Sequence, residues 1–168
     1  AQKAAALAPS RRRLLGGAAA LAALASSARV LAADTPLPDN RIGPDAALAR
    51  LVQGNARYVA GRSMQRDFSV GRVARTTGQR PFAAILSCAD SRIAPELAFD
   101  QGPGDLFVVR LAGNFLNDDA LASMEYAIEV LQVPLILVLG HSNCGAVSAT
   151  IKVVQEGTQL PGHLPGLS

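Results

Sequence analysis

Cysteine, histidine and aromatic residues are all scarce in this chain of 168 residues: two Cys, two His, no Trp, and an aromatic share of 4%. So few aromatics leave no platform for stacking bases, and neither a basic stripe nor a nucleic-acid motif is present. No internal repeat is visible, which excludes a solenoid or array. Acidic residues are missing altogether before Asp34, whereas Lys3, Arg11, Arg12, Arg13 and Arg29 all lie there. The whole chain has 16 Lys+Arg against 13 Asp+Glu. Setting that first stretch aside leaves 11 basic and 13 acidic residues, a net charge of −2. The basic pI thus belongs to the first segment alone.

That segment has its own pattern. Ser10-Arg11-Arg12-Arg13-Leu14-Leu15 precedes an Ala/Leu-rich run to about Ala25, and small residues lead to Val30-Leu31-Ala32-Ala33. This is the layout of a twin-arginine export signal, expected over residues 1–33. The alternative is an amphipathic N-terminal helix. The apolar run is too short and too Ala-rich for a stable membrane span. The expected destination is the periplasm. Residues 34–43 read as a Pro-rich linker and residues 44–168 as one domain with a real core.

Along that domain, helical and strand signals alternate. Residues 44–61 read as an amphipathic helix, with Ala47, Leu48, Leu51, Val52, Ala56 and Val59 near helical spacing. Residues 62–80 are polar and irregular. Residues 82–87, 106–111 and 135–139 are apolar runs suited to buried parallel strands. Helical turns are expected at 94–99, and helices at 118–132 and 144–155. The expected fold class is α/β, a parallel β-sheet core flanked by helices.

The few chemically versatile residues are not scattered. Cys88-Ala89-Asp90-Ser91-Arg92 closes the first strand, and His141-Ser142-Asn143-Cys144-Gly145 follows the third. Two thiolates and one imidazole form a three-ligand set for tetrahedral zinc, with one position left open as in catalytic sites. If the first and third strands are neighbours, their carboxyl ends bring Cys88, His141 and Cys144 together, where ligands gather in such sheets. Cys144 falls at a helix N-terminus, whose dipole favours the thiolate. In an exported protein the alternative is a Cys88–Cys144 disulfide. The twin-arginine route carries folded cargo, so zinc loading can precede exposure to an oxidising compartment.

These two motifs and the spacing between them resemble the β-class carbonic anhydrases, over roughly residues 44–157. The resemblance implies zinc held by Cys88, His141 and Cys144, and reversible hydration of CO2 to bicarbonate and a proton. It implies an Asp90–Arg92 pair beside the metal, Gln79 as a substrate-binding amide, and Phe107 and Tyr126 lining the pocket, the Tyr coming from a dimer partner. It further implies a homodimer or larger homo-oligomer. Related readings are a CS2 or COS hydrolase on the same zinc site, or a non-catalytic zinc-binding or assembly module. Position 111 is Leu where relatives often carry Asn. Relatives also continue beyond the last helix with a further strand and helices. The expectation is therefore a chain shortened at its C-terminus, with an exposed edge on the third strand.

The chemistry can be reasoned from the residues as well. Hydration of CO2, a weak electrophile, needs hydroxide at neutral pH. Zinc lowers the pKa of bound water to near neutrality, as is established for carbonic anhydrases generally. Asp90 can orient the attacking oxygen as an acceptor, and Arg92 can hold Asp90 ionised. Without Arg92, the Asp90 carboxylate can occupy the open metal position. Simpler roles exist for each: Asp90 as a helix N-cap, Arg92 as a surface ion pair, Gln79 as a solvated loop residue, Phe107 and Tyr126 as core. His163, in a Pro/Gly-rich tail, reads as solvated.

Overall fold

A computed structural model describes residues 39–167; the expected export signal and the first half of the linker lie outside the described residues. The chain is tied down from Asn40 onward. The Asn40 side chain is buried, donates to Asp105 Oδ1 (3.1 Å) and accepts from Arg50 Nη1 (2.9 Å).

Helix α1, Pro44–Val59, starts with Pro at its first turn, where a missing N–H costs nothing, and carries Asp45 near its positive end. Its buried residues are Ala47, Leu51 and Gly54. The expected apolar face is broader than the buried one: Leu48, Val52 and Val59 are 45%, 60% and 76% exposed. Gly54 explains the difference. A β-carbon there would lie 1.7 Å from the carbonyl oxygen of Phe99. The line of contact therefore runs through the smallest residue, and the flank carrying Leu48 and Val52 is turned away from the core.

Strand β1, Ala83–Cys88, is buried along its whole length. It lies between β2, Leu106–Leu111, and β3, Ile136–Leu139, in a parallel sheet of order β2-β1-β3. A strand buried on both faces explains why Ala-Ala-Ile-Leu shows no alternation. Cys88 pairs with Leu111, and Ser87 with both Arg110 and Leu139. One face of the sheet packs Phe82, Ala83 and Ile85 against Ala47, Leu51 and Phe99. The other packs Ala84 and Leu86 against Met124 and Ala127 of α3, Asp118–Glu129. Asn117 caps α3 by accepting from Ala120 N–H, and Asp118 and Asp119 sit in the first turn.

The remaining α-helices among the described residues are short α2, Pro95–Ala98, and α4, Gly145–Glu156. Gly157 ends α4 in the left-handed conformation, φ 67°. Among the described residues, β3 has β1 as its one strand neighbour, and no helix is long and apolar enough to cross a membrane. The order β2-β1-β3 puts the turn in chain direction at β1, so the crevice falls where β1 and β3 end.

Candidate metal centre

Cys88 is the last residue of β1. His141 follows β3 by two residues, and Cys144 is the N-cap of α4. The Cys144 side chain makes no capping bond, so its sulfur is free to face the crevice. The two sulfurs and a ring nitrogen of His141 all lie within 4.8 Å of one another. The Sγ–Sγ distance is 3.8 Å and both cysteines are free thiols. Two thiolates bound tetrahedrally to zinc at about 2.3 Å stand roughly 3.8 Å apart, whereas a disulfide needs about 2.05 Å.

The imidazole fits the same role. His141 Nδ1 lies 3.0 Å from the carbonyl oxygen of Ser142, a contact that places the proton on Nδ1 and leaves Nε2 as the ligand atom. Nε2 is buried without a hydrogen-bond partner, the state expected of an atom built to bind a metal. These residues therefore fit a zinc ion.

Electrostatics around the Cys88 sulfur favours the thiolate. Burial pushes the Cys88 thiol up, but the Gly113 N–H, then the nearby His141 ring, the Asp90 N–H and Cys144, outweigh it and bring it down to about 7. The Gly113 bond is 3.2 Å long. His141 is in turn raised, chiefly by its contact with Cys88.

Beside the cluster, Arg92 grips Asp90 at two points, Nε to Oδ1 (2.9 Å) and Nη2 to Oδ2 (2.8 Å). The Arg92 backbone N–H also donates to Asp90 Oδ1, at 2.9 Å. The Arg92 side chain, then its backbone N–H, holds the Asp90 carboxyl well below the usual carboxylate range. Asp90 does not cap α2, which begins at Pro95 with Ala94 as its N-cap. Asp90 Oδ2 is 3.8 Å from His141 Nε2, beside the cluster but too far for a hydrogen bond. A cavity of about 490 Å³, lined by residues including Gly113, His141, Cys144 and Val147, opens next to it.

The structure does not bring the other three expected site residues to this centre within one chain. Gln79 is exposed and lines a different cavity, of about 520 Å³, with Arg80 and Pro134. That cavity lies at the chain-entry ends of β1 and β3, opposite Cys88. Phe107 pairs with Ala84, four positions from the Cys88–Leu111 pair, so roughly 13 Å along the strand. Tyr126 meets Phe107 with ring centroids 6.2 Å apart and remains 45% exposed. His163 is exposed.

Two residues of the centre escaped the sequence reading. Gly113, φ 81°, follows β2 and supplies the N–H to Cys88; a Gly just after a strand is the available signal. Arg110 donates to the carbonyls of Cys88, Asp90 and Ile93. A lone charge inside the apolar run Leu-Phe-Val-Val-Arg-Leu was the sign of it.

The family model described as carbonic anhydrase matches residues 83–167. The chain belongs to the β-class carbonic anhydrase family. It is 52% identical over 120 residues to carbonic anhydrase 2 of Mycobacterium tuberculosis, covering 71% of this chain and 58% of that protein. With a carbonic anhydrase of Mycolicibacterium smegmatis it shares 51% over 122 residues, 72% of this chain and 59% of the relative. The chain thus spans less than two thirds of the length of these relatives. Among solved structures it is similar to the β-carbonic anhydrase CcaA, at 33% identity and TM-score 0.51, covering 73% of this chain and 55% of that one. It is also similar to the β-carbonic anhydrase CafA of Aspergillus fumigatus, at 27% identity and TM-score 0.50, covering 73% and 56%.

Proposed function

We propose that this protein catalyses the zinc-dependent, reversible hydration of CO2 to bicarbonate and a proton. The observation that carries this reading is the convergence of Cys88, His141 and Cys144 within 4.8 Å beside the paired Asp90 and Arg92. When bound, zinc supplies a nucleophilic oxygen at neutral pH. Cys88, His141 and Cys144 would hold the ion. Held ionised by Arg92, Asp90 would accept a hydrogen bond from the attacking oxygen rather than donate one. That selects one orientation, with a lone pair free for the carbon of CO2. Arg92 keeps Asp90 in place and reaches across to the carbonyl of Asn143 at 3.2 Å, linking the two motif loops.

The reading extends to assembly and location. A homodimer or larger oligomer would let Gln79, Phe107 and Tyr126 serve a partner's centre, consistent with their distance from their own. The Ser-Arg-Arg-Arg-Leu-Leu motif supports twin-arginine export to the periplasm.

Stopped-flow CO2 hydration by the full chain, with zinc quantified, tests the function. One zinc per chain and zinc-dependent hydration are expected. A chain lighter by two hydrogens, with a Cys88–Cys144 disulfide and no zinc, would overturn the metal assignment. Full zinc without hydration would mark a non-catalytic zinc module, and hydrolysis of CS2 or COS alone would reassign the substrate.

A further inference from the structure

Residues 62–80 join α1 to β1 and read in sequence as a polar, irregular connection. The structure turns much of that polarity inward. Asp67 Oδ1 accepts from the backbone N–H (2.9 Å) and the Oγ (2.7 Å) of Ser69. Arg75 donates from Nη1 to Val70 O and from Nη2 to Phe68 O, both at 2.9 Å. Thr76 Oγ1 and Thr77 Oγ1 donate to Val73 O (2.7 Å) and Ala74 O (2.8 Å). Asp100 anchors the start of the segment by accepting from Met64 N–H and Arg66. With these polar groups spent on their own backbone, the apolar side chains face water. Met64, Phe68, Val70 and Val73 are all exposed, Phe68 by 60%. One exposed apolar side chain needs no explanation, but four along a single connection do. The same stretch concentrates the positive charge. From Arg57 to Arg80 the chain carries six arginines against Asp67 and Asp100, whereas the rest of residues 34–168 carries five basic and eleven acidic residues. Arg57 and Arg66 turn inward to Asp100. Arg62, Arg72 and Arg80 are exposed, and their side chains make no ion pair or hydrogen bond among the described residues.

We propose that residues 62–80 form a docking surface for an anionic lipid bilayer. Phe68, Val70 and Val73 enter the headgroup boundary, and Arg62, Arg72 and Arg80 meet the headgroup phosphates. The inference is independent of the chemistry at the metal centre. Charge and apolarity together select this occupant. A second copy docked face to face would set one net positive stretch against another, which like-charge repulsion opposes. A nucleic acid would find no pair of rings on which to stack, because Phe68 is the one aromatic residue of the segment. An anionic bilayer offers both complements at once, phosphates at its surface and hydrocarbon beneath. A guanidinium meets phosphate through parallel N–H donors. One weak signal holds a protein to a membrane only marginally, whereas an apolar insertion combined with a basic patch holds it stably. The inward bonds of Asp67 and Arg75 matter here, since they satisfy loop backbone that would otherwise need water at the boundary.

The chain has no Trp, so Phe68→Trp places a single fluorescent reporter within the surface, at an exposed position where no core contact is lost. The full chain carrying it is mixed with vesicles of equal parts phosphatidylglycerol and phosphatidylcholine, or of phosphatidylcholine alone. With the anionic vesicles the indole emission should shift to the blue and be quenched by brominated acyl chains; with phosphatidylcholine it should do neither. Raising the ionic strength from about 0.1 M to about 1 M, which shortens the screening length from about 10 Å to about 3 Å, should reverse both changes. Arg72→Gln with Arg80→Gln in that background should weaken vesicle binding roughly twenty-fivefold, about fivefold for each arginine. Arg72→Lys with Arg80→Lys should largely restore it. Residues 1–33 carry an apolar run of their own, so quenching of the indole, rather than flotation of the chain, decides the matter. Vesicle binding without quenching would place the contact elsewhere in the chain and overturn the proposal. Absence of binding, or equal quenching by both vesicles, would overturn it as well. An emission shift that follows protein concentration without lipid would assign the surface to a second copy. One produced by polyglutamate but not by vesicles would assign it to an acidic protein.

Discussion

The backbone N–H of Gly113 donates to the sulfur of Cys88 across 3.2 Å. The bond depends on a left-handed backbone at Gly113, φ 81°, and on space: a β-carbon there would lie 3.3 Å from that of Ala146. Position 113 thus joins the end of β2 to both the first thiolate and the start of α4.

Gly113→Ala should therefore cost about 1–3 kcal/mol of stability from backbone strain, measured by chemical denaturation. In metal-free protein it should also move the Cys88 thiolate transition upward from about 7, because the largest of the stabilising hydrogen bonds is disturbed. Ultraviolet thiolate absorbance in a Cys144→Ser background reads this directly. An unmoved transition would mean that the N–H···S bond does not tune the sulfur.

Asp90→Asn and Arg92→Ala should each lower CO2 hydration roughly tenfold to a hundredfold, with zinc content nearly intact. Neither side chain is needed as a ligand. Asn can donate where an acceptor is required, and loss of Arg92 frees the carboxylate head. Wild-type rates in both variants at full zinc occupancy would make the pair structural.

Asp100 should contribute acid sensitivity to the fold. Its side chain is 1% exposed and meets Arg57 Nε and Arg66 Nη1, each at 2.5 Å; Arg66 Nη2 also donates to the Asp100 carbonyl oxygen. Burial pushes the carboxyl up, but Arg66, Arg57 and Met64 N–H outweigh it and leave it below the ordinary value. The folded state then holds fewer protons than the unfolded one. This contribution is fully present above the unfolded pKa of about 3.9 and is lost as pH falls through the lower folded value. Asp100→Asn should cost about 2–4 kcal/mol near neutrality. The gap between wild type and variant in urea denaturation of metal-free protein should close as pH drops below about 4. A gap independent of pH would assign the effect to packing.

Replacing Arg11 and Arg12 with Lys should block export and leave precursor in the cytoplasm. The motivation is the arginine run before an uncharged Ala/Leu stretch. Cell fractionation with antibody detection reads the outcome, and undiminished periplasmic protein in cells lacking the twin-arginine machinery would refute the assignment.

The ligand set and the elements bearing it were legible because each rests on local chemistry. Three apolar runs between helical patterns define parallel strands, and β2 spans the expected residues 106–111. Metal-ligating residues at the ends of two of them need only those strands to be adjacent. What could not be read were relations across the fold. The sequence suggests one broad apolar face on α1; the close approach of Gly54 to Phe99 O selects a narrower one. The family resemblance implies that Gln79 and Phe107 belong with Cys88, while within one chain the sheet register holds Phe107 at a distance and Gln79 lines another cavity.

Residue identity by itself determined the donor chemistry: two thiols, an imidazole and a carboxylate–guanidinium pair, because ligand softness and charge are properties of side chains. Tertiary structure decided which groups surround them. The Gly113 N–H on Cys88 and the Arg110 guanidinium on three carbonyls both come from β2 and the turn after it, 17 to 25 residues from the atoms they touch. A hydrogen bond is set by position to within fractions of an ångström, and no local pattern encodes the position of a strand that arrives later in the chain.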